Sequence, residues 1–272
     1  MRGLRAVVLA VLLAPALSPS AAEAGSGDAG GQGGVSNGTI VAGVQYGRPP
    51  LGKGKADANR CTWVPAGEAG TFEAAVVDTR VVNGVTQALF LRVCPTSNVG
   101  VWVSQVSAAS LAVNAAALVK QRLPQPTLGS APDVDTGIVN VGMWLWADSG
   151  EYEPVSVTAW VPTLNGIAFT TTTATPVGLV YDPGEPGGSR VACEGPGERW
   201  VKGSPDDAVS DCMYTYRHSS EISASGVFDA RWSIVWSISW RSNTGVGQNL
   251  GEFVTTSDTT VTVREIQAVI VP

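Results

Sequence analysis

The stretch Trp232–Trp240, with the sequence WSIVWSISW, has the clearest β-strand pattern in this chain. Its large apolar residues alternate with smaller residues, and this period of two is typical of a β-strand. The three tryptophans and two isoleucines therefore share one face. Sugars stack on flat aromatic surfaces, so the face could also be a carbohydrate platform. The isoleucines between the tryptophans favour a buried core.

Further strand-like runs surround this stretch, separated by Gly, Pro and Asp. They lie at Met143–Trp146, Pro154–Val161, Ile167–Thr175, Val177–Tyr181, Cys212–Tyr216, Val227–Trp240 and Thr259–Val271, the last broken near Glu265. About six to eight strands at this spacing predict a β-sandwich.

The preceding region predicts a hairpin and a helix. Phe72–Val82 and Val85–Cys94 are β-type runs joined by Asn83-Gly84, a strong local signal for a hairpin turn. Ser104–Leu123 is rich in Ala and Leu, with Ser104 or Ser107 as a helix cap, and it stops before Pro124. The sequence thus predicts a small α+β unit ahead of the sandwich.

The N-terminus carries the features of an export signal. Arg2 and Arg5 precede the apolar stretch Ala6–Leu17, and Ala22-Glu23-Ala24 matches a signal-peptidase site. We therefore expect residues 1–24 to be a signal peptide and the protein to be secreted, extracellular or associated with the cell wall.

Four cysteines follow that segment: Cys61, Cys94, Cys193 and Cys212. An even number in an exported chain predicts two disulfides, and three pairings are open. Proximity in sequence favours Cys61–Cys94 and Cys193–Cys212. A zinc site is disfavoured, because no two cysteines are two to four residues apart and the chain has 1 histidine.

These signals divide the chain into four parts. Residues 1–24 are the signal peptide, 25–58 a flexible tether rich in Gly and Pro, 59–123 a small disulfide-bridged α+β domain, and 124–272 a β-sandwich. The predicted fold class is mainly β. The net charge of −6, without any cluster of Lys or Arg, argues against a nucleic-acid partner.

The C-terminal region resembles the PKD module, an immunoglobulin-like sandwich. Tyr181-Asp182 stand for its Trp-Asp, Tyr214-Thr215-Tyr216 for its His-Thr-Tyr, and Gly226-x-Phe228 for its Gly-x-Tyr. The family turn Gly-Asp-Gly is replaced by Gly184-Glu185-Pro186-Gly187, with an insertion through Cys193. The resemblance covers roughly residues 154–271 and implies an immunoglobulin-like β-sandwich for this region.

The whole chain also looks like a set of actinobacterial secreted proteins of unknown role. The shared features include Leu123–Pro126, a Leu-Pro-x-Pro joint, and Trp144–Trp146, a Trp-Leu-Trp segment. Names given to such proteins include ATP/GTP-binding protein and enoyl reductase. Gly47–Gly54 nearly matches a phosphate-binding loop, but glycine replaces the magnesium-binding hydroxyl and Pro49-Pro50 disfavour the required strand and helix. A reductase is disfavoured as well, because no Gly-x-Gly-x-x-Gly opens a strand-to-helix turn and alternating βα units are absent. We therefore expect no nucleotide and no cofactor.

Other chemical groups are sparse. His218 is the base of any Ser-His-Asp site, with Asp206, Asp207 and Asp211 near in sequence, but an exposed histidine explains it better. Glu151 and Glu153 could share a strand face as a glycosidase pair does. We assign no catalytic residue to either set.

Calcium is the one metal worth weighing, since Asp133-x-Asp135, and Asp182 with Glu185, supply oxygen ligands. They lack the spacing of an EF-hand, and we assign no metal site.

Trp160 shares a strand face with Ser156 and Thr158, opposite Val155, Val157 and Val161, which makes it the tryptophan expected to contact a ligand. The sequence favours a non-catalytic extracellular or cell-surface interaction protein, with an extracellular protein or a wall glycan as partner. The alternatives are a secreted hydrolase acting on a wall or extracellular polymer and a carbohydrate-binding module.

Overall fold

The computed structural model describes residues 34–36, 39–41, 44–46, 61–66, 77–205 and 208–266 of the 272-residue chain. The described part is mainly β, with antiparallel sheets, one parallel strand pair and one α-helix. The strands are β1 Gly34–Ser36, β2 Thr39–Val41, β3 Gln45–Tyr46, β4 Thr62–Pro65, β5 Thr79–Val82, β6 Val85–Cys94, β7 Ser97–Ser104, β8 Leu128–Ala131, β9 Gly137–Ile138, β10 Gly142–Ala147, β11 Val155–Thr163, β12 Gly166–Asp182, β13 Val191–Glu194, β14 Met213–Thr215, β15 Phe228–Ser242, β16 Gly247–Val261 and β17 Val263–Arg264. The helix α1 is Ala108–Arg122, and a short 3-10 helix spans Ser220–Ile222.

The largest sheet has six strands and is antiparallel throughout. Its order is β16-β15-β12-β11-β3, and β13 pairs with the C-terminal half of β12 beside β11. The 17 residues of β12 form the centre of this sheet, because β15 pairs along most of its length. Ile167–Thr175 and Val177–Tyr181, predicted as two runs, are one strand, and the register shift between Pro176 and Gly178 marks where they meet.

The stretch Trp232–Trp240 lies in β15, and its large apolar side chains are buried on one face, as their period of two predicted. Trp232, Trp236 and the two isoleucines between Trp232 and Trp240 are at most 2% exposed. The Trp236 indole N–H donates to the Thr255 hydroxyl on the neighbouring strand at 3.0 Å. The tryptophan face is therefore part of the core, and the carbohydrate-platform interpretation of it is wrong.

The helix α1 covers one end of the inner face of the six-stranded sheet. Ser107 caps its N-terminus, since the Ser107 hydroxyl accepts from the N–H of Ser110, and the helix ends before Pro124. The Thr170 and Thr172 hydroxyls of β12 donate to helix carbonyl oxygens at 3.1 and 3.2 Å. Helix and sheet are thus joined by buried hydrogen bonds as well as by apolar packing. Among the described residues, no helix combines the length and the apolar character needed to cross a membrane.

The predicted hairpin around Asn83-Gly84 is present as β5 and β6. Asn83 and Gly84 both have positive φ, 50° and 77°, as a tight two-residue hairpin turn requires. The first strand begins at Thr79, and the earlier part of the predicted run, 72–76, lies outside the described residues. β4 and β7 complete a four-stranded sheet around β6.

Two disulfides are present, and they join Cys61 to Cys94 and Cys193 to Cys212. The first lies in the four-stranded sheet. The second connects β13 of the six-stranded sheet to the residue before β14, which pairs with β10 in a three-stranded sheet. It therefore ties two sheets together. Disulfides persist in oxidising compartments, so both bonds indicate an extracellular environment.

The four predicted parts of the chain are less separate than the sequence suggests. Within 25–58, predicted as a flexible tether, Val44 is fully buried and Gln45–Tyr46 pairs with β11. Buried side chains from before and after residue 123, Phe90 and Leu179 among them, belong to one hydrophobic cluster. Residues 59–123 and 124–272 therefore share a core.

Candidate functional site

An open pocket of about 730 Å³ lies beside the three-stranded sheet. It is lined by the ends of β8 and β10, the loops that follow them, and the loop around Gly197. The aromatic and charged groups among the lining residues are Asp133, Asp135, Trp146, Asp148, Tyr152, Glu153 and Arg199. This combination of an indole with carboxylates makes the pocket the candidate site.

Two glycines leave the space in which the indole and the backbone of Trp146 lie. Gly129 lies directly opposite Trp146 in the β8–β10 pairing, and a Cβ atom at Gly129 would overlap the indole ring. Gly197 forms a bridge to Trp146 from the other side, and a Cβ atom there would overlap the backbone at Leu145. Trp146 is partly exposed although its neighbours in β10, Leu145 and Ala147, are buried.

The pocket has an acidic rim. Asp133, Asp135, Asp148 and Glu153 are exposed, and in the described part of the chain none of them forms an ion pair. The guanidinium of Arg199, which lies 5.9 Å from the centre of the Trp146 ring, is the one basic group of the lining. Asp148 Oδ1 accepts from the Ser149 hydroxyl at 3.4 Å, and the exposed carboxylates of the rim can accept further hydrogen bonds from a ligand.

Tyr152 adds a second aromatic group to the pocket. Its hydroxyl is buried and has no hydrogen-bond partner among the described residues. Burial raises the pKa of Tyr152, so its hydroxyl is protonated and carries a hydrogen that it can donate.

Glu151 and Glu153, considered from the sequence as a glycosidase pair, lie in different surroundings. Glu151 is part of a loop contact, because its two carboxylate oxygens accept from the N–H and the hydroxyl of Thr127 at 2.6 and 2.5 Å. Glu153 lines the pocket, whereas Glu151 does not. The structure thus brings one of the pair to the candidate site.

A second polar cluster forms around Glu185, which is buried. Its Oε2 accepts from the Tyr214 hydroxyl at 2.6 Å, and its Oε1 accepts from the backbone N–H groups of Arg217 and His218, each at 2.8 Å. Burial raises the pKa of Glu185, but these hydrogen bonds outweigh that effect and the pKa lies below its ordinary value of 4.5. Glu185 is therefore a buried anion.

His218 belongs to this Glu185 cluster and not to a Ser-His-Asp site. Its Nδ1 lies 2.9 Å from Glu185 Oε1, and 54% of its side chain is exposed. The adjacent hydroxyls of Ser219 and Ser220 donate to the backbone oxygens of Val263 and Gly226. Of the predicted acidic neighbours, Asp211 makes no ion pair with His218 in the described part, and 206–207 lie outside it.

The expectation that Trp160 is exposed is wrong. Trp160 is 8% exposed, because the ring of Trp63 packs edge-on against it with the ring centres 6.4 Å apart. Sequence reasoning placed Trp160 correctly with Ser156 and Thr158 on one face, but could not show that another sheet covers this end of the face. Trp63 of β4 supplies that cover.

The oxygen-rich residues weighed as calcium ligands do not come together. In the ranges that the structure describes, no three His, Cys, Asp or Glu side chains are grouped so that they could hold a metal ion. Asp182 pairs with Arg190 at 2.8 Å, and this hydrogen bond lowers the pKa of Asp182. The carboxylate oxygens of Glu185 accept hydrogen bonds from Tyr214, Arg217 and His218.

The near-match to a phosphate-binding loop at 47–54 lies outside the described residues. Comparison with family models, with curated proteins and with solved structures finds no match to this chain. The function is therefore argued from the pocket and its residues.

Sequence reasoning missed Trp146 as the partly exposed tryptophan of a pocket. One signal was available: Gly129 lies within the short strand β8, and a glycine opposite an aromatic residue leaves room for the ring to lie across the sheet. This signal can be recognised only when the pairing of β8 with β10 is known, and neither segment predicts that pairing by itself.

Proposed function

We propose that this chain is a secreted, non-catalytic interaction protein, built on an immunoglobulin- or PKD-like sandwich, that binds a cell-wall glycan in the pocket around Trp146. The signal peptide predicted at 1–24 and the two disulfides support an extracellular location. The PKD resemblance and the antiparallel sheets support the sandwich.

The observation that carries the proposal is the position of the Trp146 indole, partly exposed in a pocket whose rim bears four carboxylates. The C–H groups on one face of a sugar ring carry partial positive charge, and the face of an indole is negative, so the two attract. Carboxylates at the rim accept hydrogen bonds from sugar hydroxyls. Binding sites of this size commonly combine an apolar surface with a few placed polar groups.

The Glu185 cluster supports a non-catalytic protein. The carboxylate oxygens of Glu185 accept hydrogen bonds from the Tyr214 hydroxyl and from the backbone N–H groups of Arg217 and His218. The contacts of His218 therefore stabilise the conformation of this loop. A secreted hydrolase remains the alternative to be tested, because Glu153 and three aspartates line the same pocket.

Binding of the purified, oxidised chain to insoluble cell wall and to an array of glycans tests the proposal. We expect Trp146→Ala to weaken glycan binding by about tenfold, which corresponds to ~1.4 kcal/mol. Trp200→Ala is the matched control, since Trp200 is 39% exposed and does not line the pocket. Equal binding by wild type and Trp146→Ala, or binding to no glycan, would contradict the proposal.

The same samples distinguish the hydrolase. Chromatography of the supernatant detects soluble fragments that a hydrolase releases from the wall. Release by the wild-type chain that is lost in Glu153→Gln would establish a hydrolase in place of a non-catalytic binder. Binding without release agrees with the proposal.

A further inference from the structure

The strand β16 forms a long free edge of the six-stranded sheet. It pairs with β15 from Phe228↔Val261 to Arg241↔Gly247, and among the described residues no strand pairs with its other side. Its alternate backbone N–H and C=O groups therefore point away from the sheet. Such a row of groups is a template for pairing with another strand.

The usual devices that protect an edge strand are weak in this strand. One bulge lies near the start of β16, where Leu250 is the extra residue between the pairs Ser239↔Asn249 and Ile238↔Gly251, and Gly251 has a φ of +94°. Beyond it, Phe253–Val261 runs without a proline, lysine or arginine. Lys and Pro are the residues that most often block edge-to-edge pairing. Val254 is 48% exposed in this segment.

We propose that two copies of this chain pair antiparallel through β16, about a two-fold axis at Ser257. Ser257 is the midpoint of the regular segment Phe253–Val261, so an axis there aligns the whole segment with its copy. The two sheets would then join into one continuous sheet. This surface is separate from the pocket, and the inference is independent of the glycan proposal.

The side chains favour this register over its neighbours. An axis at Ser257 sets Phe253 opposite Val261, Thr255 opposite Thr259, and Thr256 opposite Asp258 of the second copy, and these are apolar, hydroxyl and hydroxyl–carboxylate pairs.

Neighbouring registers bring unfavourable partners together. An axis at Thr255 would place Glu252 opposite Asp258, and one at Asp258 would place that carboxylate opposite its own copy. Like charges directly opposite each other destabilise a strand pair. An axis at Thr256 would set the apolar Val254 against the charged Asp258, whereas the axis at Ser257 sets Val254 against the uncharged Thr260.

A pair of charge variants at Thr256 tests the register. In Thr256→Asp, the new carboxylate of each copy lies opposite Asp258 of the other copy, so the dimer contains two pairs of like charges. We expect this variant to weaken the dimer at least tenfold. Thr256→Lys sets opposite charges at the same two places and should keep or strengthen the dimer. Both variants lose the same contact to the Ser233 hydroxyl, 3.0 Å from Thr256 Oγ1, so they are matched.

Sedimentation equilibrium of the oxidised chain measures the dimer, and thermal unfolding shows that each variant is folded. A cysteine at the axis gives a second readout, because directly opposite Cβ atoms are about 5 Å apart. Ser257→Cys should form a disulfide-linked dimer, whereas the exposed Ser239→Cys on β15 should not. A monomer at every concentration, or equal dimerisation of both Thr256 variants, would overturn the proposal.

Discussion

The hydroxyl oxygens of Tyr181 and Tyr216 lie 2.6 Å apart, fully buried between β12 and the residues after β14. Tyr216 also donates to the carbonyl oxygen of Pro183 at 3.2 Å, so Tyr181 donates to Tyr216. Burial raises the pKa of both hydroxyls, that of Tyr181 to about 12, and both are neutral at any ordinary pH. The Tyr216 ring stacks on Phe228, which adds β15 to the junction.

Removing one of these hydroxyls should be costly. In Tyr216→Phe the Tyr181 hydroxyl and the Pro183 carbonyl both lose a buried partner, and we expect the free energy of unfolding to fall by about 1–3 kcal/mol. Urea unfolding measures it. Ser156→Ala removes an exposed hydroxyl that bonds to Thr173, and it should change stability by less than about 0.5 kcal/mol. A similar loss in both variants would refute the role given to the tyrosine pair.

The Glu185 cluster should make stability depend on pH in the acid range. The pKa of Glu185 is lower in the folded chain than its ordinary value of 4.5, so the unfolded chain binds the proton more readily. The resulting stabilisation is complete above about pH 4.5, and it is lost as the pH falls through the folded pKa. Unfolding free energies measured from pH 7 down to pH 3 should therefore decrease less steeply for Glu185→Gln than for wild type.

Tyr214→Phe refines this test, because it removes one hydrogen bond and keeps the carboxylate. Its acid-range slope should lie between those of wild type and Glu185→Gln. If all three slopes coincide, Glu185 is not a source of the pH dependence.

Much of the fold could be predicted because it depends on local sequence patterns. The alternation at Trp232–Trp240, the Asn83-Gly84 turn and the Ser107 cap each depend on neighbours in sequence. β16 was largely missed, since Gly247–Asp258 is polar and mostly exposed, with little apolar alternation to mark it. An edge strand supported on one side by β15 does not need that alternation.

The candidate site was harder to predict because its residues meet only through tertiary pairing. Trp146, Asp133 and Glu153 belong to different segments, and β8 must pair with β10 before they surround one pocket. Trp160 shows the opposite error. Its own strand has a polar face, and only the packing of Trp63 against it removes the ring from solvent.

The disulfide between Cys193 and Cys212 should contribute to stability, because it links two sheets and closes a loop of the unfolded chain. The sequence separation of 19 residues gives a loss of about 3 kcal/mol when the bond is removed, from the entropy of loop closure in the unfolded chain. Unfolding of the double variant Cys193→Ser/Cys212→Ser measures this value. The equivalent Cys61→Ser/Cys94→Ser variant, with a separation of 33, should lose about 4 kcal/mol by the same reasoning. An unchanged unfolding midpoint in either variant would contradict the prediction.

The packing of Trp146 on Gly129 offers a way to disturb the pocket without removing any of its functional groups. A methyl group at position 129 would overlap the indole, so Gly129→Ala should displace the ring, reduce stability by about 1–3 kcal/mol and weaken glycan binding by about tenfold. The indole N–H resonance of Trp146, identified from its loss in Trp146→Phe, should shift in the amide correlation spectrum. Gly150→Ala is the control, because open space surrounds its Cβ position, and it should bind as wild type does. A shifted resonance with unchanged glycan affinity would show that the ring is displaced but does not contact the ligand.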